Sequence, residues 1–392
     1  MDPNPEPGSS WTRLSWDLTD LILSLLPVGS IIRSSVVCRH WRSVVADPSF
    51  RARSTGNPWF FLHGRNSVYH KQDQAFGYDP VSDSWTRLPA RSLHPDLFSG
   101  AGGFSFACGF GSGSGSETRF SYAPLPAGPW TDAPPLSFSR LNPLVGVLDD
   151  GSFLVVGGAR FIGGLVDIED RLATELYDPG AGGAWEVCAP LPAEFRSGGS
   201  SSHWLSSCVL RSRRLLVVLG TYSGLLSAFD VARREWAPVR ALRPAGVLLS
   251  SLVACGEKLV LTGLCSAPPG AGGGDVEEEG CVFRLWEVDY ESLSISEIAV
   301  MPRELMSLVF EESEFASLRC VGAEGLVYVF NEDHHRGYTA CVCEIGRRPP
   351  CRWRKLPPLP GPLNRFHKVV AFASPINFHS LLPAPPPPPA PD

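Results

Sequence analysis

Leu154-Val155-Val156-Gly157-Gly158, then Glu175-Leu176-Tyr177-Asp178-Pro179, Trp185 and Leu191-Pro192 make up the stretch from which the fold of this chain is read. The apolar run is a strand, and the Gly pair marks a place where backbones approach closely. The Tyr-Asp pair, a turn and Trp read as two further strands. The same pieces recur. Gly77-Tyr78-Asp79-Pro80 precedes Trp85 and Leu88-Pro89, Ala228-Phe229-Asp230 precedes Trp236, and Trp353 precedes Leu356-Pro357. With Trp130, the tryptophans fall roughly fifty residues apart, except that the last interval is about double. Glu287-Val288-Asp289 supplies the missing Tyr-Asp element, and Ile295 stands where its Trp is expected. The count is six.

Each unit has too little core to stand alone. Packed radially, one large aromatic per unit fills the space between neighbouring sheets, and ring closure removes exposed sheet edges. The first unit starts at Pro58-Trp59-Phe60-Phe61-Leu62 with no strand before it, whereas Lys368-Val369-Val370-Ala371-Phe372-Ala373 is left over after the sixth. This C-terminal run is expected to complete the first unit and close the ring.

Residues 14–47 follow a helical period instead. Leu18, Leu21, Ile22, Leu25 and Leu26 fall on one face. Ser15 is the expected N-cap and Pro27 the stop. Ser30 is expected to cap a second helix carrying Ile32, Val36, Val37, Trp41, Val44 and Val45 up to Asp47-Pro48. So short a hairpin buries little of its own apolar surface, so it must lean on another protein or on the rest of the chain.

Of the 392 residues, 44% are hydrophobic and 19% charged, as in a folded protein. Net charge is −6, and the most basic cluster is Arg211, Arg213 and Arg214, so no nucleic-acid partner is expected. No apolar run reaches the ~18 residues of a membrane span. The N-terminus reads as no secretory signal and the eleven cysteines as free thiols, with Cys38, Cys208, Cys255 and Cys320 as small core residues. A cytoplasmic or nuclear site is expected. Residues 1–10 and the Pro-rich tail 376–392 read as disordered.

Leu14, Leu18, Ile22, Leu26, Pro27, Ile31, Arg33, Val37, Cys38, Trp41 and Phe50 carry a resemblance. The segment 11–53 resembles an F-box, with Ser15 where that family usually has Pro. The repeats over 58–375 resemble a divergent kelch propeller, and the whole resembles the plant F-box/kelch-repeat proteins. The resemblance implies a small all-α F-box module followed by an all-β six-bladed kelch-type propeller. It also implies a function: substrate adaptor of a Skp–cullin–F-box ubiquitin ligase. Leu14, Leu18, Ile22, Leu26, Pro27, Ile31, Val37, Cys38 and Trp41 would form or support the docking face for the Skp adaptor, and through it a cullin–RING ligase. The propeller would hold a protein client. The kelch-type blade residues are Trp85, Trp130, Gly157, Gly158, Trp185, Trp236 and Trp353.

No catalytic constellation stands out, and the chain reads as a non-catalytic subunit without cofactor. Cys341 and Cys343 near His334 and His335 lack zinc spacing and fall on one strand face, as core thiols would. Gly100–Gly115 lacks the Lys-Ser/Thr of a phosphate loop, and Asp149-Asp150-Gly151 reads as a hairpin turn. The alternatives are a scaffold that engages the Skp adaptor without ubiquitylating anything, and a propeller enzyme, which would need His and Tyr converging from several blades. In a propeller, the loops joining second to third strands share a face with the connections between blades. The long insertions fall there, so the client face would include Arg160, Phe161, Glu277, Glu278, Glu279, His334 and His335. The acidic run around Glu277 would imply a basic client.

Overall fold

The computed structural model describes residues 14–47, 49–50, 58–66, 72–89, 93–110, 118–158, 161–162, 165–166, 172–198, 204–266, 281–310, 318–332, 337–346 and 351–376. Six antiparallel sheets of four principal strands form a propeller, one per predicted unit. Their innermost strands are Lys368–Ser374, Leu97–Ala101, Leu144–Val147, Leu205–Leu210, Val247–Cys255 and Leu318–Ala323. Neighbouring strands in this series touch, and the last touches the first, so the ring is closed. They line a central cavity of about 1050 Å³.

Closure occurs as expected from the leftover run. Lys368–Ser374 pairs with Trp59–Arg65 from Trp59↔Ser374 to Arg65↔Lys368. The rings of Phe61 and Phe372 stack at 5.2 Å across the pair. A polar clasp tightens it: Asn66 Nδ2 donates to Arg365 O (3.1 Å) and Gln74 Nε2 to Pro362 O (3.0 Å). The N-terminal and C-terminal ends of the propeller sequence are thereby tied in one sheet.

The repeated residues have local and inter-blade tasks. Asp79, Asp178, Asp230 and Asp289 each accept a backbone N–H two or three residues on, which fixes the turn before the outer strand. The tryptophans then face the preceding blade. Trp85 Nε1 donates to Pro357 O (2.8 Å), Trp185 Nε1 to Pro134 O (2.8 Å) and Trp236 Nε1 to Ala189 O (2.9 Å). Each acceptor lies just beyond the outer strand of the blade before. Trp130 packs on His94 at 4.8 Å and Trp353 on Phe283 at 6.3 Å, and neither indole N–H has an acceptor.

In the fifth blade Ile295 pairs with Val288, the register in which Trp85 meets Tyr78 and Trp236 meets Phe229. Without an indole, this seam is held from the other side. Arg240 of the fourth blade donates to Tyr290 O (2.8 Å) and Glu291 O (2.9 Å), its guanidinium 5.1 Å from the Tyr290 ring centre. Gly157 and Gly158 both have positive φ, 64° and 97°. A Cβ on Gly158 would lie 2.9 Å from Leu141 O, so the close approach requires glycine there.

Sequence periodicity did not reveal two features. Arg140 and Glu175 form an ion pair at 2.6 Å with both side chains fully buried. Glu175 also accepts Ser137 N (2.7 Å), so the charge is hydrogen-bonded on two sides. A helix, Arg303–Phe310, sits between the fifth and sixth blades, anchored where Asn331 Nδ2 donates to Val309 O. The cysteines need a partial correction. Cys255, Cys341 and Cys343 are core residues, whereas Cys208 and Cys320 line the central cavity half-buried, because their strands are innermost and turn one face to the axis. Burial pushes the Cys341 thiol up to about 11.

Candidate functional site

Three helices precede the ring: α1 (Trp16–Ser24), α2 (Val28–Ser34) and α3 (Arg39–Ala46). Ser15 caps α1 as expected, its hydroxyl accepting Leu18 N at 3.3 Å. The second helix differs from expectation. It begins at Val28, not after Ser30, because the Pro27 carbonyl already accepts from Ser30 N and Ile31 N. It also does not run on to Val45. The chain turns at Ser35–Val37 and α3 restarts with the Cys38 sulfur accepting Trp41 N at 3.4 Å. The break lets Thr19 Oγ1 meet His40 Nε2 at 3.2 Å, pinning α1 to α3.

The inward residues are Thr19 and Leu23 of α1, Val28, Ile31 and Ser34 of α2, and Val44 and Val45 of α3. With Phe50, the apolar ones join one cluster with Trp59, Phe61, Leu97 and Phe372 of the first two blades. Leu26 and Trp41 pack against that cluster half-buried. The helices therefore do lean on the ring. Leu23 was not among the residues singled out from the sequence; it sits at i+4 from Thr19, a spacing that a polar Thr disguises.

What the ring leaves uncovered is the opposite side. Leu18 (50% exposed), Leu21, Ile22 and Leu25 (76%) of α1 face solvent, as do Trp16, Val36 and Val37 (64%). The apolar stripe of α1 is thus directed outward. Of the residues expected to dock or support docking, Leu18, Ile22 and Val37 are open, Leu14, Leu26, Pro27, Cys38 and Trp41 are half-buried, and Ile31 is buried beneath them.

The chain enters the ring at Trp59, which pairs with Ser374, so this entrance lies on the face where first strands turn into second strands. The opposite face carries the second-to-third loops: Arg65 ends its strand there beside Lys368, the first residue of the innermost strand. Of the residues expected on this client face, Phe161 begins a two-residue strand paired with Leu165–Val166. Arg160, Glu277, Glu278, Glu279, His334 and His335 lie outside the described residues. Among the described residues there is no cluster of three metal-type ligands and no helix long and apolar enough to cross a membrane.

Residues 11–53 match the F-box domain. Three Arabidopsis thaliana proteins are similar to this chain. An F-box/kelch-repeat protein is 31% identical over 74 residues, 18% of this chain and 17% of its own length. Protein UNUSUAL FLORAL ORGANS is 22% identical over 360 residues, 82% of this chain and 74% of its own. F-box only protein 6 is 23% identical over 334 residues, 82% of this chain and 64% of its own. The chain thus joins an F-box domain at residues 11–53 to a six-bladed propeller, an arrangement that fits the plant F-box/kelch-repeat proteins.

Proposed function

We propose that this protein is the substrate-recognition subunit of a Skp–cullin–F-box ubiquitin ligase. The F-box helices dock the Skp adaptor, and through it a cullin–RING ligase. The loop face of the propeller holds a protein client. The chain itself performs no chemistry and needs no cofactor; it raises the local concentration of client lysines near a conjugating enzyme. The observation that carries this reading is the outward apolar stripe of α1, continued by Val36 and Val37, on a module already packed against its own ring. An exposed apolar patch of that kind marks an interaction surface. A cytoplasmic or nuclear location follows from the same role, as do domain limits of 11–53 for the docking module and 58–375 for the ring.

Co-expression with a plant Skp adaptor and a cullin tests it. Wild type is expected to retain both, and Leu18→Asp/Leu25→Asp to lose both while melting at the wild-type temperature. Retention of the adaptor by the variant overturns the docking assignment. Retention of the adaptor without the cullin would favour the scaffold reading.

A further inference from the structure

On the loop face, the mouth of the central cavity is lined unevenly. Beside the fourth blade, Trp204 and Tyr222 stack with centroids 4.9 Å apart, each about two-fifths exposed. Their backbones are locked together, Thr221 N donating to Trp204 O at 2.9 Å. Leu248, near the start of the fifth blade's innermost strand, is exposed, and two residues on Ser250 N donates to Thr221 O at 2.9 Å. Thr221 and Tyr222 line the cavity itself. Large exposed aromatics held by a rigid turn are what anchor residues of a partner pack against.

Across the axis lies the first blade, three places round a ring of six. Here Arg65 and Lys368 are direct cross-strand partners. Two like charges so placed destabilise a sheet pair. Neither side chain makes a hydrogen bond or ion pair with a described residue, and the buried Nε of Arg65 has no acceptor. Arg319 stands at the next innermost strand, paired with Glu332 at 3.0 Å; Asp96 is a further carboxylate nearby, and Asp73 accepts the N–H of Asn66, the residue after Arg65. Lys368 is exposed as a residue and lines the cavity; desolvation there, and next the Arg65 charge, push its ammonium pKa below the ordinary value. A cation pair that makes no ion pair with a described residue, on a surface otherwise rich in paired charges, is complementary to a carboxylate brought from outside.

We propose that the loop-face mouth binds an extended acidic segment of a client protein, with an aromatic or large aliphatic residue against Trp204, Tyr222 and Leu248 and a carboxylate against Arg65 and Lys368. The inference rests on the client-binding reading above and gives it a chemistry. It differs from the basic client implied by the acidic run at Glu277–Glu279, because the Arg65–Lys368 pair carries the opposite sign. The two anchor sites lie on opposite sides of the axis, so a bound segment spans the cavity.

Selection of a random peptide display library on the full-length chain tests this without knowledge of the client or of the ligase. Enriched peptides are expected to carry Asp or Glu several residues from an aromatic or Leu. Selection on Arg65→Glu/Lys368→Glu is expected to replace the acidic residues with Lys or Arg, and selection on Trp204→Ala to lose the aromatic. Synthetic versions of the enriched peptides should bind the charge-reversed chain at least tenfold more weakly, with its melting temperature unchanged. No enrichment, enrichment without acidic bias, or acidic bias that survives charge reversal overturns the proposal. So does a phosphoserine version that binds where the Asp or Glu version does not. A chain that selects acidic peptides but fails to retain the Skp adaptor would overturn the ligase reading and leave this site standing.

Discussion

In the ring, Trp185 lies against Tyr177 and Phe120 with its N–H bound to the preceding blade; in α1, Leu18, Leu21, Ile22 and Leu25 stand in water. Both regions have apolar residues at a regular period. In the ring, a neighbouring blade meets every period, so the large side chains are covered. In the helices, the ring covers only the side that holds Leu23, Val28, Ile31, Val44 and Val45. The difference separates residues that stabilise the protein from residues that the proposed adaptor would cover.

Breaking that comparison begins with the largest effect. Arg140→Leu leaves Glu175 buried without its partner and should cost about 3–5 kcal/mol, read by denaturant unfolding. Arg140→Leu/Glu175→Leu should recover much of it, since the uncompensated charge is gone. A double variant no more stable than Arg140→Leu would show that the loss comes from packing.

Next in size is acid sensitivity at His63. It is fully buried, lies 5.4 Å from the Phe372 ring and has no partner on either ring nitrogen. Burial lowers its pKa from 6.5 to about 4. The unfolded chain therefore takes up a proton before the folded chain does. The stability is intact above pH 6.5 and falls between pH 6.5 and about 4, by about 3 kcal/mol. His63→Leu should flatten that part of the stability–pH curve. An unchanged slope would assign the acid sensitivity to other groups.

The indole staples are smaller. Trp236→Phe loses the bond to Ala189 O and should cost about 1 kcal/mol beyond the packing change. Trp353→Phe loses no bond, since its N–H has no acceptor, and should cost less. Equal losses at both sites would remove the hydrogen bond from the explanation. All these ring variants should still dock the Skp adaptor at temperatures where they remain folded.

Much of this was legible from local sequence. Asp79, Asp178, Asp230 and Asp289 act within three residues of themselves, so each turn and the position of the following Trp, or of Ile295, show as a spacing. The closing strand was legible by elimination, because Lys368–Ala373 had no partner left but the first blade. The second blade blurs because Pro124 ends its third strand where four other blades place Asp and the sixth places Glu344. Arg140 escaped notice because its partner lies 35 residues away, and burial of a charge has no periodicity. In the helices, the amphipathic stripe was legible, but its direction was not. Periodicity finds an apolar face without saying whether ring or solvent meets it, and Thr19 with Leu23 on the other side of α1 decides that.

The most direct measurement is a paired reading of Leu25→Asp: dissociation constant for a Skp adaptor, and unfolding free energy. Leu25 is 76% exposed, so stability should shift by less than about 0.5 kcal/mol. Affinity should fall at least tenfold, about 1.4 kcal/mol. Unchanged affinity with unchanged stability would contradict the account, because the outward stripe would then face no adaptor.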